Sequence, residues 1–350
     1  MAAEVGTGAA EDAANPGDSR VLPKRTAIRI SEEVSMSQDD RSLGQLPTQL
    51  LKLGTLAVLA LAVSAPPRSV AQQSGQKTFG SASAASHALA KAVQSDDQSA
   101  LLSILGPDAK DLISSGDPAE DKTSREEFVQ KFKQMHRLVN EPDGTTTLYI
   151  GAENWPTPIP LRHKDSAWYF DTPAGKKEVL YRRIGKNELA VIQVCREVVD
   201  AEKEYYSQPH DGESEQQYAG KLSSDRGKHN GLYWETSAGQ QESPLGPLIA
   251  AADGNSGNPE KKPQPFMGYY FRILTAQKTA KGASSYIVDG KMTGGFALLA
   301  YPAQYRSSGV MTFIVDRDGV VYEKDLGART AAIGKTLTRY ERDASWRQAD

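Results

Sequence analysis

Residues 185–205 read GKNELAVIQVCREVVDAEKEY, and their periodicity decides the fold class. Val191, Val194, Val198, Ala201 and Tyr205 recur at i, i+3, i+7, i+10 and i+14, while Gln193, Arg196, Glu197, Asp200, Lys203 and Glu204 take the opposite side. A stripe on this period is an amphipathic helix that covers a core with one face. Asn187 is a capping residue type, so the spacing predicts a helix over Glu188–Ser207. Cys195 lies at the edge of the stripe and reads as a small buried thiol.

What this helix covers is legible downstream. Tyr269–Thr275 is a strand, and Phe296–Tyr301 is so uniformly apolar that it belongs at the centre of a sheet. Val310–Val315 and Val320–Glu323 flank the turn Asp316–Gly319 as a hairpin. Tyr286–Val288 and Lys291–Met292 flank Asp289-Gly290, a tight-turn pair that predicts another. Residues 208–265 are mostly loop with a short helix at Leu245–Ala252, and Ala331–Tyr340 reads as a terminal helix.

Upstream the order is helices, then strands. Ala85, Ala88, Leu89, Ala92 and Val93 recur at helical spacing, and Ser99–Leu105 stops at Gly106-Pro107. Ser124 and Glu127 form a capping box, which predicts a helix start there, with Phe128, Phe132 and Met135 on one face. Thr145–Ile150 is rich in strand formers. The three prolines of Trp155–Pro160 exclude a central strand and leave an extended edge or a polyproline segment. Leu161–His163 and Trp168–Asp171 form a hairpin around Lys164–Ser166.

These elements predict an α+β protein: helices with an antiparallel sheet in the first half, and a long amphipathic helix packed on an antiparallel β-meander in the second. Two domains are expected, at residues 79–185 and 186–350, dividing near Gly185.

Residues 51–71, LKLGTLAVLALAVSAPPRSVA, carry a positive flank at Lys52 and an apolar run, and end in the small-residue pattern Ser69-Val70-Ala71. The run is shorter than the roughly 20 apolar residues that span a bilayer, so a cleaved export signal is the expectation and an uncleaved anchor the alternative. The protein is then secreted or periplasmic, with no stable membrane anchor once the signal is removed. Residues 1–50 are polar, mixed in charge and without period, and read as a disordered leader. Met36 stands fifteen residues before Leu51 and is the expected translation start; a long unstructured leader is the other reading.

Seven of the 41 Lys and Arg and eight of the 44 Asp and Glu precede residue 72, so the remainder is nearly neutral. That balance argues against nucleic acid as a partner. One cysteine permits no internal disulfide, and 279 residues suffice for an apolar core to hold the fold alone.

Motifs for chemistry fall short on spacing. Gly327 and Gly334-Lys335-Thr336 resemble a phosphate loop, but six residues separate the glycines where that loop needs four. Asp316, Asp318 and Glu323 lack the glycine at the sixth position and the carboxylate at the twelfth that a calcium loop needs. His87, His136, His163, His210 and His229 are scattered, so no metal site and no cofactor is expected. No Gly-x-Ser-x-Gly elbow occurs.

Aromatic residues concentrate in the second half, in Tyr205-Tyr206, Tyr233-Trp234, Tyr269-Tyr270-Phe271, Tyr301 and Tyr305. Cross-strand packing accounts for one member of each neighbouring pair. The outward members form a candidate binding surface, for which Trp155, Trp234, Tyr270 and Tyr301 are the residues to test.

From Phe79 onward the chain resembles the uncharacterised secreted bacterial proteins of domain-of-unknown-function family 2950. The resemblance is carried by Trp155–Leu161 (WPTPIPL), Trp168–Asp171 (WYFD), Gly185–Tyr205, Gly231–Trp234 (GLYW), Gly268–Ala276 (GYYFRILTA), Gly294–Pro302 (GGFALLAYP) and Gly319–Gly327 (GVVYEKDLG). That family implies no activity. The order of amphipathic helix, loop and meander is also similar to the globular part of type IV pilins. Pilins carry an apolar helical half just before the amphipathic one, and here Trp168–Lys186 takes its place. The first half is similar to the cone-shaped nuclear-transport-factor-2-like domains.

The expected role is therefore non-enzymatic binding or assembly at the cell envelope, with an envelope protein or a glycan as partner. The alternative is an envelope hydrolase acting on a polymer with carboxylates the sequence does not assign.

Overall fold

The computed structural model describes residues 73–114, 118–236, 241–254, 263–279 and 282–349. The expected leader at residues 1–50 and export signal at residues 51–71 lie outside them. Among the described residues no helix is long and apolar enough to cross a membrane.

The first half opens with α1 (Ala82–Gln94), where the Ser81 hydroxyl accepts from the Ala84 amide at 3.0 Å. Asp97 caps α2 (Gln98–Leu105) in the same way. Gly106 then turns at a φ of 92° into a short 3-10 turn and α3 (Lys110–Ile113). The next helix, α4 (Pro118–Gln134), starts six residues before the capping box that suggested its beginning. Proline is well placed in a first turn, where its missing N–H is no loss, so Pro118 outranks Ser124 as the start signal.

The strands β1 (His136–Asn140), β2 (Thr146–Ile150), β3 (Trp155–Pro156), β4 (Leu161–Lys164) and β5 (Ala167–Phe170) form one antiparallel sheet in the order β1-β2-β4-β5, with β3 paired to β2. Asp165 and Ser166 both take positive φ at the β4–β5 turn, as a tight primed turn requires. No periodic signal in the sequence marks strand β1, because none of its side chains is fully buried and its apolar pattern is weak. Leu89, Leu101, Ile104 and Leu105 pack on Leu161 and Phe170, and Phe132 packs on Leu148 and Ile150.

The long helix differs most from expectation. Helix α5 runs unbroken for 35 residues, Thr172–Tyr206, about 50 Å at 1.5 Å per residue. Its start is fixed by Asp171, whose Oδ1 accepts from the Ala174 amide at 3.0 Å while Oδ2 takes Arg162 Nε at 2.5 Å. Pro173 sits in its first turn. Gly185 and Asn187, which suggested a helix start near the domain division, lie in its interior. The N-terminal part of α5 belongs with the first half, since Thr172 Oγ1 donates to Leu105 O and Gly175 leaves room for Ile159. Val191 to Tyr205 enter the second core.

After α6 (Pro247–Ala250) come β6 (Tyr269–Leu274), β7 (Ala276–Thr279), β8 (Gly282–Ser285), β9 (Ala297–Pro302), β10 (Met311–Asp316) and β11 (Tyr322–Asp325). Helix α7 (Thr330–Thr336), β12 (Arg339–Tyr340) and β13 (Arg347–Gln348) end the chain. The main sheet has the order β13-β11-β10-β9-β6 and is antiparallel throughout. Every residue of β9 is buried, in keeping with its apolar sequence, because α5 covers one face of the sheet and α7 the other.

Two local expectations change here. Asp289 and Gly290 do form a tight turn, with φ of 51° and 82°, but it closes a single bridge, Val288 to Lys291. The true hairpin is β7–β8, to which β12 adds in parallel. The terminal helix stops at Thr336, because Leu337 turns to extended backbone and leads into β12. The whole is an α+β fold whose long helix precedes a β-meander.

Candidate functional site

The four candidate aromatics do not come together. Tyr270 and Tyr301 are cross-strand partners on β6 and β9, their rings 5.8 Å apart. Tyr301 is 1% exposed because α7 lies over it. Trp234 is buried as well: its indole N–H donates to Gln241 O at 3.1 Å, and His229 and His210 flank its ring at 4.7 and 5.8 Å. Helix α7 thus covers the face of the main sheet opposite α5, and these four residues form no single aromatic patch.

Trp155 alone of the four is exposed, at 39%, and it lies in the first-half sheet on β3. Its ring is held by Arg182 of α5, whose guanidinium carbon lies 5.1 Å from the ring centroid. Arg182 is itself fixed: Nη1 donates to Pro156 O at 2.8 Å and Nε to Glu178 Oε1 at 2.8 Å. A cation clamped over an indole face holds that ring in one orientation. The same stretch of α5 exposes Val179, Leu189 and Tyr181, the last at 63%. Arg182 carries no sequence signal of its own, because its pairing with Trp155 spans 27 positions and two elements.

Of the five histidines, His210 and His229 flank the Trp234 ring, His87 meets His136, and His163 lies against Trp168. His210 stacks on Tyr205 at 4.0 Å, beside Trp234. Asp211 accepts from the His229 amide at 2.8 and 3.0 Å and from its ring Nδ1 at 3.1 Å. In the neutral ring, a carboxylate accepting from Nδ1–H places the lone pair on Nε2. The ring centroids of His87 and His136 lie 5.2 Å apart. Among the described residues no group of three or more His, Cys, Asp or Glu could hold a metal ion.

Two further groups are buried. Glu202 of α5 accepts from the Ala219 amide through Oε2 at 2.8 Å, while Oε1 has no hydrogen-bond partner. Burial pushes this carboxyl well above its ordinary value of 4.5. Nearby, Tyr205, Tyr218 and Met292 line a recess of about 230 Å³. Burial likewise pushes the Cys195 thiol up to about 12, which keeps it protonated and unreactive.

The motifs that failed on spacing have structural roles. Gly334 is buried under Tyr301, and its carbonyl accepts from Arg272 Nη1 at 2.6 Å. Asp316 Oδ1 accepts from the Asp318 amide at 3.0 Å ahead of Gly319, whose φ is 78°. The first is helix packing and the second is turn chemistry.

Among protein families, the model described as "Protein of unknown function (DUF2950)" matches residues 76–349. No curated protein and no solved structure matches.

Proposed function

The chain belongs to the DUF2950 family, and on that premise we propose an exported, non-enzymatic protein that binds or assembles at the cell envelope, with Trp155 and Arg182 at the centre of its contact surface. The exposed Trp155 ring under the Arg182 guanidinium carries this reading. Trp, Tyr and Arg are the side chains that most often dominate binding energy, and rigid ones lose little freedom on contact. Here all three types occur, with Trp155 and Arg182 already fixed in place and Tyr181 exposed on the same helix. The partner is an envelope protein or a glycan, either of which an indole face and a guanidinium can engage. Export rests on the signal-like run at residues 51–71.

The test is capture from envelope extract with purified wild type, Trp155→Ala, Arg182→Ala and Tyr270→Phe. Loss of the captured species in the first two variants and retention in the third supports the reading. Equal capture by all four overturns it. The second reading, a hydrolase acting on an envelope polymer, draws on the Asp211–His229 pair; its test is release of soluble fragments that His229→Gln abolishes.

A further inference from the structure

We propose that His87 and His136 form a surface site for a divalent transition-metal ion of the zinc, copper or nickel kind. The two residues lie 49 positions apart, on α1 and at the start of β1, and the packing of α1 on α4 brings them together. Their anchoring is the same in both cases. His87 Nδ1 lies 2.8 Å from Ser83 O, and His136 Nδ1 lies 2.9 Å from Phe132 O, each the carbonyl four residues earlier. A carbonyl oxygen only accepts, so both Nδ1 atoms carry the proton, and in the neutral rings the lone pair is on Nε2. A backbone carbonyl on the second ring nitrogen is the usual support of a metal-binding imidazole.

The spacing fits as well. Two imidazoles on one tetrahedral ion, with Nε2 about 2.0–2.1 Å from the metal, place their ring centroids about 5 Å apart. The observed separation is 5.2 Å, with the rings at 87°. Phe132 stacks on His136 at 4.0 Å and meets His87 edge-on at 5.7 Å, which restrains both rings from behind. Both histidines are exposed, and neither Nε2 has a protein partner among the described residues. Imidazole nitrogen suits zinc, copper and nickel, whereas calcium and magnesium prefer oxygen. With two protein ligands the remaining positions go to water, so the ion is exchangeable.

The experiment is calorimetric titration of the full chain, free of any affinity tag, with zinc and separately with nickel at neutral pH. One ion per chain is expected. His87→Ala and His136→Ala should each weaken binding at least tenfold, as should His87→Gln and His136→Gln, with unchanged circular dichroism showing the fold intact. A triple variant, His163→Ala, His210→Ala and His229→Ala, should bind like wild type. Absence of binding in the wild type overturns the proposal. So does a site that survives either single substitution, or one that disappears in the triple variant.

Discussion

Gly334 lies against the ring of Tyr301 so closely that a Cβ added at Gly334 would stand 2.6 Å from Tyr301 Cδ2. The glycine that gave the chain its resemblance to a phosphate loop is there because a buried tyrosine leaves no room for a side chain.

Gly334→Ala must therefore displace a ring that is itself enclosed. Overpacking of this kind costs about 1–3 kcal/mol, whereas Lys335→Ala, at an exposed position, should stay within about 0.5 kcal/mol. Urea unfolding of both variants checks this, and equal effects would contradict the packing account.

Glu188 joins α5 to the turn before β10, its Oε1 accepting from the Val310 amide at 2.8 Å and the Met311 amide at 2.9 Å. Glu188→Ala leaves two amides without that acceptor and should cost about 1–3 kcal/mol. Glu188→Gln keeps a carbonyl oxygen in place and should cost distinctly less. A glutamine variant as unstable as the alanine one would refute the assignment.

Glu202 gives a pH dependence with a defined sign. Its folded-state value lies above the unfolded 4.5, so folding favours the protonated form. Stability from this group is complete below 4.5 and is lost as pH rises toward the folded-state value. Glu202→Gln removes the ionisation and keeps an acceptor for the Ala219 amide. The variant should melt higher than wild type at neutral pH, and the gap should close as pH falls to 4.5. A gap that widens on acidification would run against this.

Gly185 offers the opposite kind of change. It lies inside α5, and an added Cβ would meet nothing within 4 Å. Gly185→Ala should stabilise the protein by about 0.5–1 kcal/mol through helix propensity alone. Destabilisation in thermal unfolding would show that α5 bends or breaks there.

Cys195 should resist thiol reagents in the folded protein, since burial raises it to about 12. Labelling with a disulfide reagent is expected only after denaturant is added. Rapid labelling at pH 7 in native buffer would disprove the burial.

The apolar patterns were the legible part of the sequence. The stripe from Val191 to Tyr205 and the uniform run of β9 each implied one neighbour, and the structure supplies it. Helix boundaries misled where two start signals competed. Ser124 and Asn187 both look like caps, yet Pro118 and the pair Asp171 and Pro173 lie further upstream, and helix formation propagates through the later residue once begun. Strand β1 and the β7–β8 hairpin were missed because strands with little full burial carry little hydrophobic signal. The candidate site was least legible. Whether Tyr270 faces water depends on what covers the far side of the sheet, and the grip of Arg182 on Trp155 or the meeting of His87 with His136 is a product of packing between distant segments.

The unbroken run of α5 also acts as a phase lock between the two cores. Each residue inserted between Thr172 and Val191 would turn everything beyond it by about 100° and push it out by about 1.5 Å. Asp171 would stay clamped to Arg162 while the valine stripe rotated off its sheet. Seven residues, close to two turns, are the smallest insertion that returns the stripe to its bearing. The described residues of the loop region between Tyr206 and Pro247 include no helix or strand, so they carry no such arithmetic. Length variation among relatives should therefore collect in that loop and be nearly absent from the helix.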